Sequence, residues 1–144
     1  MFIIARMSYI AVVNVIRDIA NEINPTGLFT HGRRSDFSLE NDKPFPQIHL
    51  LPFTGDVNLD NNYSETYSIQ MLFLQQDTQD SNNEEREGII SEMDILSRRF
   101  VTAIFNADGV QVSNVRTEPN YRVLSATTSG YFLTFRLQTT TNPC

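Results

Sequence analysis

Five consecutive residues, Asp56-Val57-Asn58-Leu59-Asp60, set oxygen-bearing side chains at alternate positions, the spacing of the first three ligands in an EF-hand calcium loop. The rest of such a loop is missing. Asn61 stands where the turn needs glycine, and the place of the bidentate acid falls on Tyr67. Because Asx side chains favour turns, the stretch reads as a polar hairpin tip, and no metal is expected there. His31 and His49 are the two histidines, and neither has the spacing that puts two ligands or an acid–base pair on one side of an element. Structural roles are expected for both. The acids Glu84, Glu85, Glu87, Glu92 and Asp94 are better suited to a helix start and a solvated face than to paired catalytic carboxylates. The chain has no Gly-x-Ser-x-Gly elbow, no Walker loop and no Gly-x-Gly-x-x-Gly fingerprint. No catalytic residue and no cofactor are therefore expected, and the chain is not read as an enzyme.

Charge and cysteine usage narrow the classes further. The formal charge is −6 and the isoelectric point is near 4.8, so neither a phosphate backbone nor an anionic membrane is an expected partner. The short pairs Arg33-Arg34 and Arg98-Arg99 read as solvated positions within that acidic whole. Cys144 is the only cysteine and the last residue, which excludes an intrachain disulfide. No segment approaches the roughly 18 apolar residues of a membrane span, and a soluble protein made in a cytoplasm is expected. At 144 residues the chain is long enough for one core. The expected organisation is an extension over 1–7, with Met7 a second plausible start, one domain over 8–138, and a tail over 139–144.

The elements that must position these residues follow from periodicity. Apolar residues Tyr9, Val12, Val13, Ile16, Ile19, Ala20 and Ile23 recur at helical steps, with Ser8 suited to cap the start and Asn24-Pro25-Thr26-Gly27 to stop it. A short strand is conceivable over 28–33. Residues 45–52 read as a short strand with proline at both ends, which suits a sheet edge, and 53–62 as a turn-rich loop. From 63 to 75 Tyr63, Glu65, Tyr67, Ile69, Met71 and Phe73 alternate with Ser64, Thr66, Ser68 and Gln70, the pattern of a half-buried strand. A second helix is predicted from Asn82 or Asn83 to Phe105, with a core stripe of Ile89, Met93, Leu96, Phe100, Ala103 and Ile104. Ile90, Ile95, Val101 and Phe105 fall off that stripe and call for a second contact, such as a neighbouring subunit. Two strands follow, 110–118 and 121–138, with Pro119-Asn120 as the hairpin turn and a bend at Thr128-Ser129-Gly130. The result is an α+β fold, an antiparallel-dominated sheet of four to five strands with two helices on one face, in the order α-β-β-α-β-β.

This order, with the Pro-flanked segment Pro46-Gln47-Ile48-His49-Leu50 and the long strand after it, resembles the tail-terminator and tail-completion proteins of long-tailed bacteriophages. The resemblance spans nearly the whole chain but rests on architecture and size. Related neck proteins, which close the head or join it to the tail, share much of the fold. The resemblance implies a virion protein, assembled in the host cytoplasm, that forms a ring of six copies. Such a ring caps the tail tube, stops its polymerisation and meets a head-side connector. Its partners would be further copies of itself, the tail-tube protein and that connector. Ring closure needs two different complementary surfaces on each protomer. Candidates for the subunit interface are Ile90, Ile95, Val101 and Phe105 on the second helix, and Ile48 and Leu50 on the expected sheet edge. Candidates for contacts above and below the ring are Asp56, Asn58 and Asp60. The alternative is a small ligand- or peptide-binding module with Tyr67, His49 and Arg136 converging in a pocket.

Overall fold

The computed structural model describes residues 8–33, 44–59, 64–77, 82–120 and 128–140. Their order is α1 (Tyr9–Ile23), β1 (Leu28–His31), β2 (Gln47–Leu50), β3 (Thr54–Asn58), β4 (Ser64–Gln76), α2 (Asn83–Phe105), β5 (Val110–Asn120) and β6 (Thr128–Thr140). The class is α+β, and the mixed sheet has six strands where four to five were expected. Its order is β1-β2-β4-β6-β5, with β3 also paired to β4. Only β1 and β2 run parallel.

Long β4 organises the sheet. On one side it pairs along its whole length with β6. On the other, its first half pairs with β3 and its second with β2. The chain steps between those partners at Leu51-Pro52-Phe53, where the Leu51 amide still donates to Gln70 O at 3.0 Å. The predicted alternation holds, since Glu65, Tyr67, Ile69, Met71 and Phe73 are all buried on one face. Leu72 and Leu74 are buried on the other, so this end of β4 is covered on both sides.

Both helices lie on the first face. In α1 the buried residues are Val12, Val13, Ile16 and Ala20. Ser8 caps the helix by accepting from the Ala11 amide, and Asn24 closes it with its backbone amide on Ala20 O while its side-chain amide donates to Pro46 O at 2.9 Å. That crossing lies so close to Gly27 that a Cβ there would fall 2.1 Å from Pro46 O. The helix α2 starts on Asn82, whose side chain accepts from the Glu85 amide at 2.8 Å, while Glu84 and Glu85 face the positive end of the dipole. Its buried residues are Met93, Leu96, Ser97, Phe100 and Ile104. Phe100 sits between Phe73 and Phe135, with ring centroids 5.9 and 6.1 Å away. Each such buried aromatic contributes roughly 1.5–3 kcal/mol by leaving water.

The fully buried Asp77, just past β4, ties three elements together. Its Oδ2 accepts from Arg86 Nε of α2 at 2.9 Å and from the Ser129 hydroxyl of β6 at 2.6 Å.

Four boundaries differ from expectation. The 53–62 segment contains a strand, β3, because pairing with β4 satisfies a backbone whose Asx-rich sequence favours turns locally. Residues 45–52 do not form a sheet edge, since β1 covers the free side of β2 and both prolines fall outside the four paired residues. Pro119 is paired in β5 opposite Tyr131, and Thr128-Ser129-Gly130 begins β6. The irregularity lies instead in β5 between Ser113 and Arg116, where Asn114 takes a φ of 54°. Finally, the strand runs on into the expected tail, with Thr139 buried opposite Glu65 and Val110.

Candidate functional site

The two histidines are used up in holding β1 against β2. A carbonyl can only accept, so His31 Nδ1 donates to Leu50 O (2.8 Å), leaving Nε2 to accept from the Tyr9 hydroxyl (2.9 Å). By the same logic His49 Nε2 donates to Gly32 O and Nδ1 accepts from Thr30 Oγ1, both at 2.7 Å. Tyr9 stacks on Phe53 with centroids 4.2 Å apart, closing the His31 side with an aromatic cap. Neither ring presents a nitrogen to a pocket.

The pocket expected of a binding module is not assembled. Tyr67 pairs with Leu137 on the helix-covered face and donates its hydroxyl to Glu65 at 2.6 Å. His49 and Arg136 stand opposite Leu72 and Ser68, which point to the other face. The three side chains do not converge. Asp56 and Asn58 lie on exposed β3, opposite Thr66 and Ser64 and so on that same outer face, while Asp60 is outside the described residues. Cys144 is outside them too.

The candidate interface residues divide sharply. Ile48 and Leu50 are fully buried in the common core, packed with Met71, Phe73 and α1, and cannot meet a neighbouring subunit. Their assignment to an edge fails because β2 is an interior strand. Val101 is half-buried and packs against the core, and Ile90 is half-buried. The other two are uncovered: Ile95 is 50% and Phe105 66% exposed. Beside Ile95 a groove of about 520 Å³ runs towards the end of α1, lined by Ile23, Ile95, Arg98, Arg99, Thr102 and Ala103. Ala103, expected in the core stripe, lines this groove instead. Of the two arginines, Arg98 is held by Asp94 through a 2.9 Å bond, and that hydrogen bond, with the attraction of the carboxylate, raises its pKa.

A second uncovered surface was not anticipated. Val57 at 56% and Leu59 at 72% exposure lie on and just beyond β3, whose outer side has no strand partner among the described residues. Their i, i+2 spacing was the available signal, masked by the flanking Asp and Asn residues. The other open edge, β5, also carries an exposed apolar residue, Val115, but it is blunted by the irregularity at 114–115 and by Pro119, which has no amide hydrogen to offer.

Among the described residues no group of three or more His, Cys, Asp or Glu side chains is placed to hold a metal ion, and no helix is long and apolar enough to cross a membrane. Comparison of the chain with protein-family models and with functionally characterised proteins returns no match.

Proposed function

We propose that this chain is a structural subunit of a phage tail or neck, assembling head to tail into a closed ring that caps the tail tube and offers its other side to the head. The observation that supports this most directly is the presence of two unlike uncovered apolar surfaces on one small domain. One is the outer side of α2 at Phe105, and the other is the β3 end of the sheet at Val57 and Leu59. A heterologous contact requires two different patches that complement each other, and repetition of one such contact through a fixed rotation closes a ring. The tail-terminator resemblance adds the count of six and the tube and connector as partners. The net charge of −6 favours a lumen that repels passing DNA.

The test uses native mass spectrometry and negative-stain images, with and without tail-tube protein. Closed rings are expected from the unaltered chain, alone or on the tube. Phe105→Asp and Leu59→Asp should each abolish them while leaving the fold intact, because both side chains are mostly in water in the isolated subunit. Mixing the two variants should then restore the contact between one variant and the other but no closed ring, since each supplies only one working surface of that contact. A chain that stays monomeric at high concentration and ignores the tube protein would refute the proposal.

A further inference from the structure

The outermost ridge of α2, directly opposite its buried stripe, carries Gly88, Ser91, Ile95 and Thr102, flanked on one side by Glu92 and Arg99, and all six are exposed. Three features of this ridge make no contact within one chain that uses them. Ile95 is half exposed although it stands at the crest. Gly88 sits inside a long helix with nothing within 4 Å of where a Cβ would be, so no packing in the subunit requires it. Such a glycine weakens a helix, and close approach of another backbone is the usual return. Glu92 and Arg99 make no ion pair among the described residues. They cannot pair with each other, since seven residues of helix separate them by roughly 10 Å along the axis.

All three features are symmetric about one point. The midpoint of Glu92 and Arg99 falls beside Ile95, and the midpoint of Gly88 and Thr102 falls on it. A surface whose charges and small residues are mirrored in this way is complementary to itself when turned end for end. We infer that a second copy of this chain docks here, its α2 antiparallel to the first about a two-fold axis at Ile95. The two Ile95 side chains then meet at the centre. Gly88 of each copy faces Thr102 of the other, which lets the axes approach to the short end of the usual 8–10 Å. Glu92 of each copy meets Arg99 of the other, giving two identical ion pairs. The antiparallel arrangement also opposes the two helix dipoles. The groove beside Ile95 continues the apolar floor towards Ile23 and is covered by the low-profile Gly88 end of the partner. This isologous contact uses neither Phe105 nor Leu59, so it stands apart from the ring contact and would join subunits, or whole rings, in pairs.

The test is charge exchange read by sedimentation velocity. It is run in the unaltered chain and again with Leu59→Asp, which removes the proposed ring contact, so that loss of rings and loss of pairs are read separately. One helix pair falls at the small end of interface sizes, below about 1,200 Å² in total, so a weak, concentration-dependent dimer is expected. Glu92→Arg alone and Arg99→Glu alone should each weaken it by about tenfold or more, since each makes two like-charge contacts. An equimolar mixture of the two variants should regain the dimer, as should the chain carrying both changes, because every contact is again opposite in sign. Ile95→Glu should abolish pairing with an unchanged melting curve. A monomer up to millimolar concentration, a dimer indifferent to Ile95→Glu, or failure of the mixture to regain what each variant lost would each overturn the inference.

Discussion

Gly88→Ala is an unusually direct probe of whether the crest of α2 is bare in the subunit. A methyl group there would meet nothing within 4 Å, and the backbone is not in the left-handed region that would strain an alanine. Glycine in an exposed helix interior is about 0.8–1 kcal/mol less favourable than alanine, chiefly because the unfolded chain has more freedom to lose. In the dilute monomer the change should therefore stabilise the fold by about 1 kcal/mol. For 144 residues the entropy of unfolding is roughly 0.3 kcal/mol per degree, which converts that gain to a rise of about 3 °C. The assay is thermal melting followed by circular dichroism, at low micromolar concentration and again at the highest concentration the protein tolerates. In the paired state the added methyl holds the helices apart, so the dimer should weaken while the monomer gains. A lowered melting temperature in the dilute chain would mean that the helix is covered at Gly88 within the subunit. An equal gain at both concentrations with unchanged pairing would place Gly88 outside any interface.

Two further substitutions test the packing that holds these surfaces in place. Gly130→Ala should cost about 3 kcal/mol or more in urea unfolding, because its Cβ would lie 1.7 Å from Phe73 O, a backbone atom at the centre of the sheet; a loss below about 1 kcal/mol would show that β4 and β6 can part there freely. Arg86→Leu should cost about 3 kcal/mol by removing the guanidinium that sits 2.9 Å from the buried Asp77 carboxylate, and adding Asp77→Asn should recover much of that; no recovery in the double variant would mean that Arg86 acts through packing and not through charge.

Elements with one strong local period were legible in the sequence. The helix α1 has its apolar residues on one face and a Ser8 cap, while α2 begins with an Asn cap and acids, and both ends of each fell within a residue or two of expectation. The alternation of β4 needed no partner to be recognised. The closing hairpin of β5 and β6 and the short strand after α1 were also foreseen, while other outcomes of pairing were hidden. Asp56-Val57-Asn58 has the composition of a turn and becomes a strand only because β4 offers it a ladder. Pro119 reads as a turn residue and is tolerated in β5 because an edge strand has one side on which no amide hydrogen is required. The parallel contact of β1 with β2 links segments separated by residues whose sequence gives no sign of it, and that single contact moved Ile48 and Leu50 from a supposed edge into the core.

The surface was legible only as far as helical geometry alone could carry it. Off-stripe apolar residues on a helix divide by angle. Val101 follows Phe100 by one position and leans back over the core, whereas Ile95 precedes Leu96 on the far side and lands on the crest. Counting apolar residues off the stripe treats the two alike, and only their rotation about the axis separates a core margin from an exposed ridge. The same rotation explains why Glu92 and Arg99 matter more than the acids before them. Glu84 and Glu85 already have a role at the helix N-terminus, and Arg98 has Asp94 one turn away. Glu92 and Arg99 are the opposite charges that flank the crest without a partner on the helix itself. They lie on the same side of the crest, too far apart to reach one another, one about a turn before Ile95 and the other about a turn after it. A charge pair that cannot close within one helix, yet closes twice when that helix is turned end for end against its copy, is the pattern on which the inferred pairing rests, and it is visible only once the buried face has fixed the rotation of α2.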